Sequence, residues 1–435
     1  MCGIFGVFNG TNIEKYTYIG LQSLQHRGQN SYGVIMKTKN KWYETYHPGL
    51  VNFNNMIHKE SIGNSIGHVR YPTNTSNQMQ PIREGNFAFA YNGQIESPNM
   101  NEAILIQESL RNMGEITKEK LKTFLNTLKG AFAIAILYED KLFLARDRNG
   151  IRPLVIGFDD EVMFFSSETC ALPTKSFINI LPGSIYEFIN HNGKTHLDSI
   201  YEMGLSVNQP CLFESFYFSR PDSIFANTNK SFYEIRHSSG QYLWKEEKYI
   251  FEDNSVVVPV PDSGIPSAVG YSESSGIPLT FAIVRNQYVG RSFIQPSQDA
   301  RELIAKTKHT INKNLVKDKE VILIDDSLVR GTTSRSLINK LRDAGAKEVH
   351  LRIASPPVLY SDYYGIDLPD TYLLLAKQFD NDWDMMASVL GVDSLGYLSI
   401  ESIYMAHGYE ERNDIPQLMD RCFTGQIPID LDKFL

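Results

Sequence analysis

Short apolar runs separated by turn residues dominate the first half of the chain. Phe87-Ala88-Phe89-Ala90, Ala131 to Leu137, Leu142-Phe143-Leu144-Ala145 and Val162-Met163-Phe164-Phe165 are the clearest. Asn92-Gly93, Asn149-Gly150 and Pro182-Gly183 break them up, and such dipeptides favour turns. Runs of this length predict buried strands in stacked sheets. Two polar stretches with helical periodicity interrupt them, near residues 12–25 and 100–128.

The rhythm then changes. Val256-Val257-Val258-Pro259-Val260 precedes Pro261-Asp262-Ser263-Gly264 and a helix of small residues. Val321 to Ile324 leads into a loop, a helix from about Thr333 to Ala344 that Gly345 ends, and a further strand from Val349 to Ala354. Strand–loop–helix–strand order implies right-handed crossovers and a parallel sheet. The change falls between residues 205 and 230, which sets the expected domain boundary. The last sixty residues read as short helices packed on the second domain.

Composition narrows the function classes. With 435 residues and 42% hydrophobic content the chain can bury one large core or two ordinary ones. A formal charge of −8 and a pI near 5.7 argue against a general nucleic-acid binder, which needs a basic face. Four cysteines make no disulfide framework and fit a reducing compartment. No stretch approaches the roughly 20 apolar residues of a membrane span, and the N-terminus lacks the pattern of a signal peptide. The expectation is a soluble cytoplasmic protein that binds neither nucleic acid nor membrane.

Two segments carry chemistry. The first is Val321-Ile322-Leu323-Ile324-Asp325-Asp326-Ser327-Leu328-Val329-Arg330-Gly331-Thr332-Thr333-Ser334. An aliphatic strand ends in two carboxylates, and Gly-Thr-Thr-Ser opens a helix. A helix N-terminus offers unpaired N–H groups and partial positive charge to a phosphate, while Gly331 permits close approach. Asp325 and Asp326 suit ribose hydroxyls or Mg²⁺. Asp-Asp alone reads equally as solvated acids before a capped helix; Arg330 to Ser334 tips the balance. No nucleoside-triphosphate loop and no dinucleotide fingerprint is present. Asp262, Ser263 and Gly264 form a strand-end loop suited to pyrophosphate. Arg285 to Ile294, with Tyr288 and Arg291, has cationic ends around a hinge glycine, as a closing lid would.

The second is the start, Met1-Cys2-Gly3-Ile4-Phe5-Gly6. Loss of Met1 would leave Cys2 with a free α-amine, titrating at about 7.7–8.0, as a built-in base for its thiol. Gln25-His26-Arg27-Gly28-Gln29, Gly67-His68-Val69-Arg70-Tyr71-Pro72-Thr73 and Tyr91-Asn92-Gly93 follow in order. Arg70 suits a substrate carboxylate, and the Asn92 amide with the Gly93 N–H suits a developing oxyanion. His26 and His68 read as satisfied structural histidines.

These segments resemble two known families joined end to end. The thiol segments are similar to the N-terminal-nucleophile domain of class II glutamine amidotransferases. The Asp-Asp loop is similar to the phosphoribosyl-pyrophosphate (PRPP) loop of type I phosphoribosyltransferases. Together, with Asp147 to Leu154, Phe213 to Ser223 and Asp393 to Ser399, they resemble the glutamine PRPP amidotransferase family over nearly the whole chain. The resemblance implies an αββα N-terminal-nucleophile sandwich over residues 2–225 and a parallel-sheet phosphoribosyltransferase domain with C-terminal helices over 226–435. It also implies a reaction in which glutamine-derived ammonia crosses an internal passage to C1 of PRPP, giving 5-phosphoribosylamine and pyrophosphate.

Residue by residue, it implies Cys2 as nucleophile, with Asn92 and Gly93 as the oxyanion hole. It implies Arg70, Arg27 and Thr73 around glutamine, and Mg²⁺ at Ser263, Asp325 and Asp326. PRPP would lie on Asp262, Ser263, Gly264, Tyr288, Arg291, Asp325, Asp326, Ser327, Arg330, Gly331, Thr332, Thr333 and Ser334. A homotetramer inhibited by purine nucleotides is the family expectation.

The chain departs from that pattern in three places. The segment after Asn92-Gly93 is shortened, and the family's aspartate for the glutamine α-amine has no clear counterpart; Asn99, Asn101 and Glu102 are the candidates. Tyr91 and Asn30 replace a usual His and Asp. Some members hold a [4Fe–4S] cluster on four cysteines; here Cys211 and Cys422 match two positions, and Asp362 and Met419 stand at the others, so no cluster is expected. Cys170 reads as buried. The shortened segment keeps two alternatives open: an ammonia-using homologue with an impaired glutaminase, and a non-catalytic regulator that binds PRPP or nucleotides.

Overall fold

The computed structural model describes residues 2–39, 41–57, 61–71, 78–97, 100–159, 162–225, 227–286, 309–362, 364–366, 368 and 370–426. Two antiparallel sheets form the first half. One runs in the order Phe177–Asn179, Val155–Asp159, Val162–Ser166, Gly3–Thr11, Ile62–Arg70, Ser31–Thr38, Trp42–Pro48. The other runs Lys194–Glu202, Ser184–His191, Lys141–Arg146, Gly130–Tyr138, Phe87–Ile95, Ile82–Glu84.

Strand alternation explains the layers, because successive side chains point to opposite faces. Ile4, Phe8, Ile35 and Ile66 of the first sheet meet Ala88, Ala90, Ala133, Ala135, Leu142 and Leu144 of the second. Their neighbours face outward onto helices. Phe5, Val7 and Val69 pack under helix Ile13–Ser23 through Tyr18 and Leu21. Phe87, Phe89, Ile134 and Ile136 pack under helices Glu102–Met113 and Lys118–Thr127 through Ile106, Leu110 and Leu121. The central strands are thus covered on both faces, which is why they read as unbroken apolar runs. The result is the expected αββα sandwich.

The second half is built on a parallel sheet in the order Val256–Pro259, Glu320–Asp325, Glu348–Ile353, Ser394–Tyr397. Val257, Ile322 and Ile324 face helices Phe232–Lys245, Ile265–Ser275 and Ile400–His407. Val256, Val258, Val321 and Leu323 face helices Thr332–Asp343 and Trp383–Leu390. The C-terminal region holds more than the short helices expected of it, since Ser394–Tyr397 is a sheet strand beside Glu348–Ile353.

The last sandwich strand ends at Glu202, and the parallel sheet begins at Val256. Helix Leu212–Tyr217 lies between them, ahead of Phe232–Lys245, and the proposed division at 225/226 falls between these two helices. The two halves share an apolar core at their junction. Cys211, Leu212, Phe213 and Phe216 share one buried cluster with Ala131 and Ile151 of the sandwich and Leu398, Met419 and Phe423 of the C-terminal region. Gln209 bridges both sides, accepting from Asn149 Nδ2 at 2.7 Å and donating to the Pro416 carbonyl at 2.7 Å. No helix among the described residues is long and apolar enough to cross a membrane.

Candidate active site

Parity along three strands assembles the thiol site. Cys2 shares the inward parity of Ile4, and His68 and Arg70 share that of Ile66; Asn92 shares that of Ala88 and Ala90. All four come from the same end of the sandwich. The Cys2 backbone nitrogen donates to Asn92 Oδ1 at 3.0 Å. That bond fixes the amide, and its buried Nδ2 has no partner. An unpaired buried amide is costly, by about 1–3 kcal/mol, so an open N–H donor beside a nucleophile suits a substrate oxygen. Gly93 follows on the same strand. A Cβ there would lie 2.3 Å from the Ala131 carbonyl oxygen, so only glycine fits.

Arg70 ends its strand, and its Nη1 donates to the Gln78 carbonyl at 2.8 Å. Arg27 sits differently from the substrate-facing role the resemblance implied. Its guanidinium is fully buried, Nε donates to the Cys2 carbonyl at 2.9 Å, and Nη1 and Nη2 pair with Glu168 and Glu214. It anchors the residue just ahead of the strand. Gly28 makes this turn possible, since a Cβ would meet the Arg70 backbone at 2.5 Å. Thr73 and Asn99 lie outside the described residues. Of the other candidates for the ammonium, Asn101 caps its helix by accepting from Ala103 N at 3.0 Å. Glu102 accepts from Ile95 N at 2.9 Å and from the Tyr91 hydroxyl.

Glu168 was not singled out by its sequence context, yet it is the hub behind the thiol. Besides Arg27 it takes His26 Nε2 at 2.8 Å, the Ser223 hydroxyl at 2.8 Å and Arg220 N at 2.9 Å. Burial opposes its charge, but His26 and Arg27 hold it well below the usual carboxylate range. The Phe218-Ser219-Arg220-Pro221-Asp222-Ser223 segment was the available signal, as one end of this junction. His26 is therefore the satisfied structural residue expected. His68 is not: it is fully buried, neither ring nitrogen has a conventional partner, and it faces the Cys2 thiol.

The phosphate site lies at the C-terminal ends of the parallel strands. Val260 N donates to the Ile324 carbonyl at 2.9 Å, which sets the Asp262–Gly264 loop beside the Asp325–Gly331 loop. A Cβ on Gly264 would lie 2.5 Å from that same carbonyl oxygen. Asp325 and Asp326 are both buried, and burial beside another carboxylate pushes Asp325 well up; burial also raises Asp326. Asp326 Oδ2 has no partner, Oδ1 accepts from the Ser327 hydroxyl at 3.2 Å, and the Ser263 hydroxyl faces the same carboxyl group. Buried Arg236, which sequence reading missed, donates to the Ser215 and Ser219 carbonyls and lends its charge to Asp326. Nothing in its helical setting distinguishes it from a core-facing polar residue.

Gly331 takes φ 74°, turning the chain into helix Thr332–Asp343 with no side-chain cap on its first N–H groups. Helix Ile265–Ser275 also starts uncapped, whereas Asn101, Thr117, Ser231, Asp382 and Ser399 cap theirs. Two open helix starts beside an acid pair leave donors for phosphate oxygens and acceptors for a cation. Arg330, Thr332 and Thr333 are exposed at this end, while Ser334 is buried. Asp262 pairs with Arg285. Tyr288 and Arg291, with most of the proposed lid, lie outside the described residues. All four cysteines are free; Cys170 is half-buried, and Cys211 and Cys422 are buried in one cluster with Met419. Asp362 stands against Cys211, with both near the Cβ position of Gly365.

Comparison with known proteins agrees with the two-part fold. Residues 68–174 match the glutamine amidotransferase domain family, and residues 226–354 the phosphoribosyl transferase domain family. An amidophosphoribosyltransferase of Rhizobium etli is 38% identical, the match covering 98% of this chain and 91% of that one. One from Methanocaldococcus jannaschii is 36% identical over 99% and 98%. The structure of the Bacillus subtilis glutamine PRPP amidotransferase complexed with ADP and GMP superposes with a TM-score of 0.83 at 34% identity, covering 98% of this chain and 97% of that one. Colinear over its whole described length, the chain belongs to the amidophosphoribosyltransferase family.

Proposed function

We propose that the protein transfers the amide nitrogen of glutamine to C1 of PRPP, giving 5-phosphoribosylamine, glutamate and pyrophosphate, the first step of purine synthesis. The observation that carries this reading is the pairing, on one chain whose two halves share a buried apolar cluster, of a thiol beside an open amide donor and a buried acid pair beside two open helix starts.

In this reading Cys2 attacks the glutamine carboxamide. Asn92 Nδ2 and Gly93 N hold the oxyanion, and Arg70 takes the α-carboxylate. Arg27 keeps Cys2 in place. At the second site, Asp325, Asp326 and Ser263 would hold Mg²⁺: they are hard oxygen donors, and Asp326 Oδ2 is an unpaired buried acceptor. The bound cation would neutralise the pyrophosphate leaving group. Ser327 and the N–H groups after Gly331 hold the ribose phosphate, with Thr332 and Thr333 adding hydroxyls. Arg330 and the Asp262–Gly264 loop border the pyrophosphate, and Tyr288 and Arg291 belong to a lid that closes over it. Water exclusion on closure keeps the nitrogen as ammonia. A cytoplasmic homotetramer regulated by purine nucleotides fits the same family.

The decisive assay is PRPP-dependent pyrophosphate release with glutamine, with ammonia, or with neither. Wild type should use both donors, and Cys2→Ala should keep ammonia activity alone. Ammonia-only turnover in wild type would point to an impaired glutaminase. Absence of turnover in every arm would favour a non-catalytic regulator.

A further inference from the structure

We propose that Glu320, Glu348 and His350 form a separate metal site, a three-ligand clip for a zinc-class divalent cation at the foot of the parallel sheet. The proposal does not depend on the amidotransferase reading and concerns the end of the sheet which that reading leaves unused.

Strand register builds the site. Glu320 lies opposite Glu348 in the parallel ladder, and Ile322 lies opposite His350. Residues two apart on a strand share a face, so all three side chains project on the side of Ile322. Their ligand atoms lie within 4.8 Å of one another. His350 Nε2 is 3.0 Å from Glu320 Oε1 and 3.3 Å from Glu348 Oε2. Two ligands held tetrahedrally by zinc at about 2.0–2.1 Å stand about 3.3–3.4 Å apart, so the spacing from the imidazole to both carboxylates is already near this size.

The count of charges leaves room for a cation. Glu320 and His350 are buried, and Glu348 is half-buried. Among the described residues neither carboxylate pairs with a lysine or arginine, and both pair with His350. Lys347, beside them in sequence, pairs with Glu252. Even a protonated imidazole brings one positive charge to two carboxylates, and a buried carboxylate left short is costly. A divalent cation in place of that proton closes the balance.

An outer shell holds each ligand. His350 Nδ1 lies 2.8 Å from Ser394 Oγ, which turns Nε2 toward the carboxylates. Glu320 keeps Oε1 for His350, while its Oε2 accepts from the Ser255 hydroxyl and, at 2.6 Å, from Glu252 N. The Tyr249 hydroxyl donates to Glu348 Oε2 at 3.2 Å. The rings of Tyr249 and Phe251 pack on the imidazole, with centroids 4.4 and 5.3 Å away. Such shells orient metal ligands and exclude solvent. One imidazole nitrogen with two carboxylate oxygens suits zinc better than Mg²⁺, and leaves a fourth position for water. Asp325 closes the strand that Glu320 opens, so the acid pair at the phosphate site is about 16 Å away.

The test uses the full-length protein, stripped of metal with a chelator, and Zn²⁺ alone as the probe in competition with a chromophoric chelator. Wild type should bind one zinc ion that Cys2→Ala and Asp325→Asn bind equally well. His350→Gln and Glu348→Gln should each lose at least ~100-fold in affinity, and Ser394→Ala about 10–100-fold, the effect of an outer-shell partner. Excess zinc should raise the thermal midpoint of wild type by mass action and leave that of His350→Gln unmoved. Co²⁺ should give wild type the intense visible absorption of a four-coordinate site and give His350→Gln none. Should His350→Gln not fold, Glu348→Gln decides, because it leaves the Glu320–His350 bond in place. Unchanged zinc affinity in Glu348→Gln overturns the proposal. So does a wild type that binds no zinc, or one whose zinc is lost in Cys2→Ala or Asp325→Asn.

Discussion

At the scale of single residues, Asn92 ties the thiol site together with its two amide atoms. Asn92 holds the Cys2 nitrogen with its oxygen and leaves its buried Nδ2 open, as a proposed oxyanion donor. Asn92→Ala should lower glutamine-dependent kcat by about 10²–10³, the usual effect of losing one oxyanion donor, and leave ammonia-dependent turnover in place. Cys2, Asn92 and Asp325 stand out as candidates in the sequence because motif and chemistry coincide there. Arg27, His68 and Glu168 do not, because their roles depend on partners far along the chain. Arg27 looks like a ligand-binding cation until Glu168 and Glu214 are seen to enclose it. His68 looks like an ordinary buried histidine until its ring is seen to face the Cys2 thiol.

At the scale of elements, strands buried on both faces and amphipathic helices were read correctly, since burial imposes a period on sequence. Ser394–Tyr397 escaped because it is a four-residue strand containing a glycine, too short for a period to emerge. The helix start at Gly331 yields a prediction. Gly331→Ala would place a Cβ 2.9 Å from Leu390 and hold a non-glycine residue at φ 74°, a strain of about 1–3 kcal/mol. The KM for PRPP should rise while glutamine hydrolysis by the thiol site changes little.

Helix Ile400–His407 yields another. Burial pushes His407 down to about 4, against the Ile403 carbonyl, which accepts from its Nδ1 at 2.7 Å. In the unfolded chain the ring titrates near 6.5. Between about 4 and 6.5 the unfolded state therefore binds more protons, and folding stability declines as pH falls through that window, by up to ~3 kcal/mol from this group. Thermal midpoints measured from neutral pH down to about 4.5 should drop less steeply in His407→Gln than in wild type.

At the scale of the whole molecule, function is bought with stability at the acid pair. Burial raises both adjacent carboxylates, and the charge of Asp326 raises Asp325 further. Asp325→Asn should raise the thermal midpoint by several degrees, since relief of about 1 kcal/mol shifts a domain of this size by roughly 2–4 °C. It should also abolish PRPP-dependent turnover with either donor. Mg²⁺ with PRPP should raise the wild-type midpoint by mass action, and the variant's much less.

The Arg27–Glu168–Glu214 cluster reaches further than the thiol. Glu214 belongs to helix Leu212–Tyr217, which is buried against both halves. A gene cut upstream of that helix would express a glutaminase fragment whose Arg27 keeps Glu168 but loses Glu214, and an interior charge stripped of a partner costs about 3–5 kcal/mol. Such a fragment should come out of cells as insoluble material, and mixing it with the remaining fragment should not rebuild a working enzyme. The two catalysts are inherited, folded and lost as one piece.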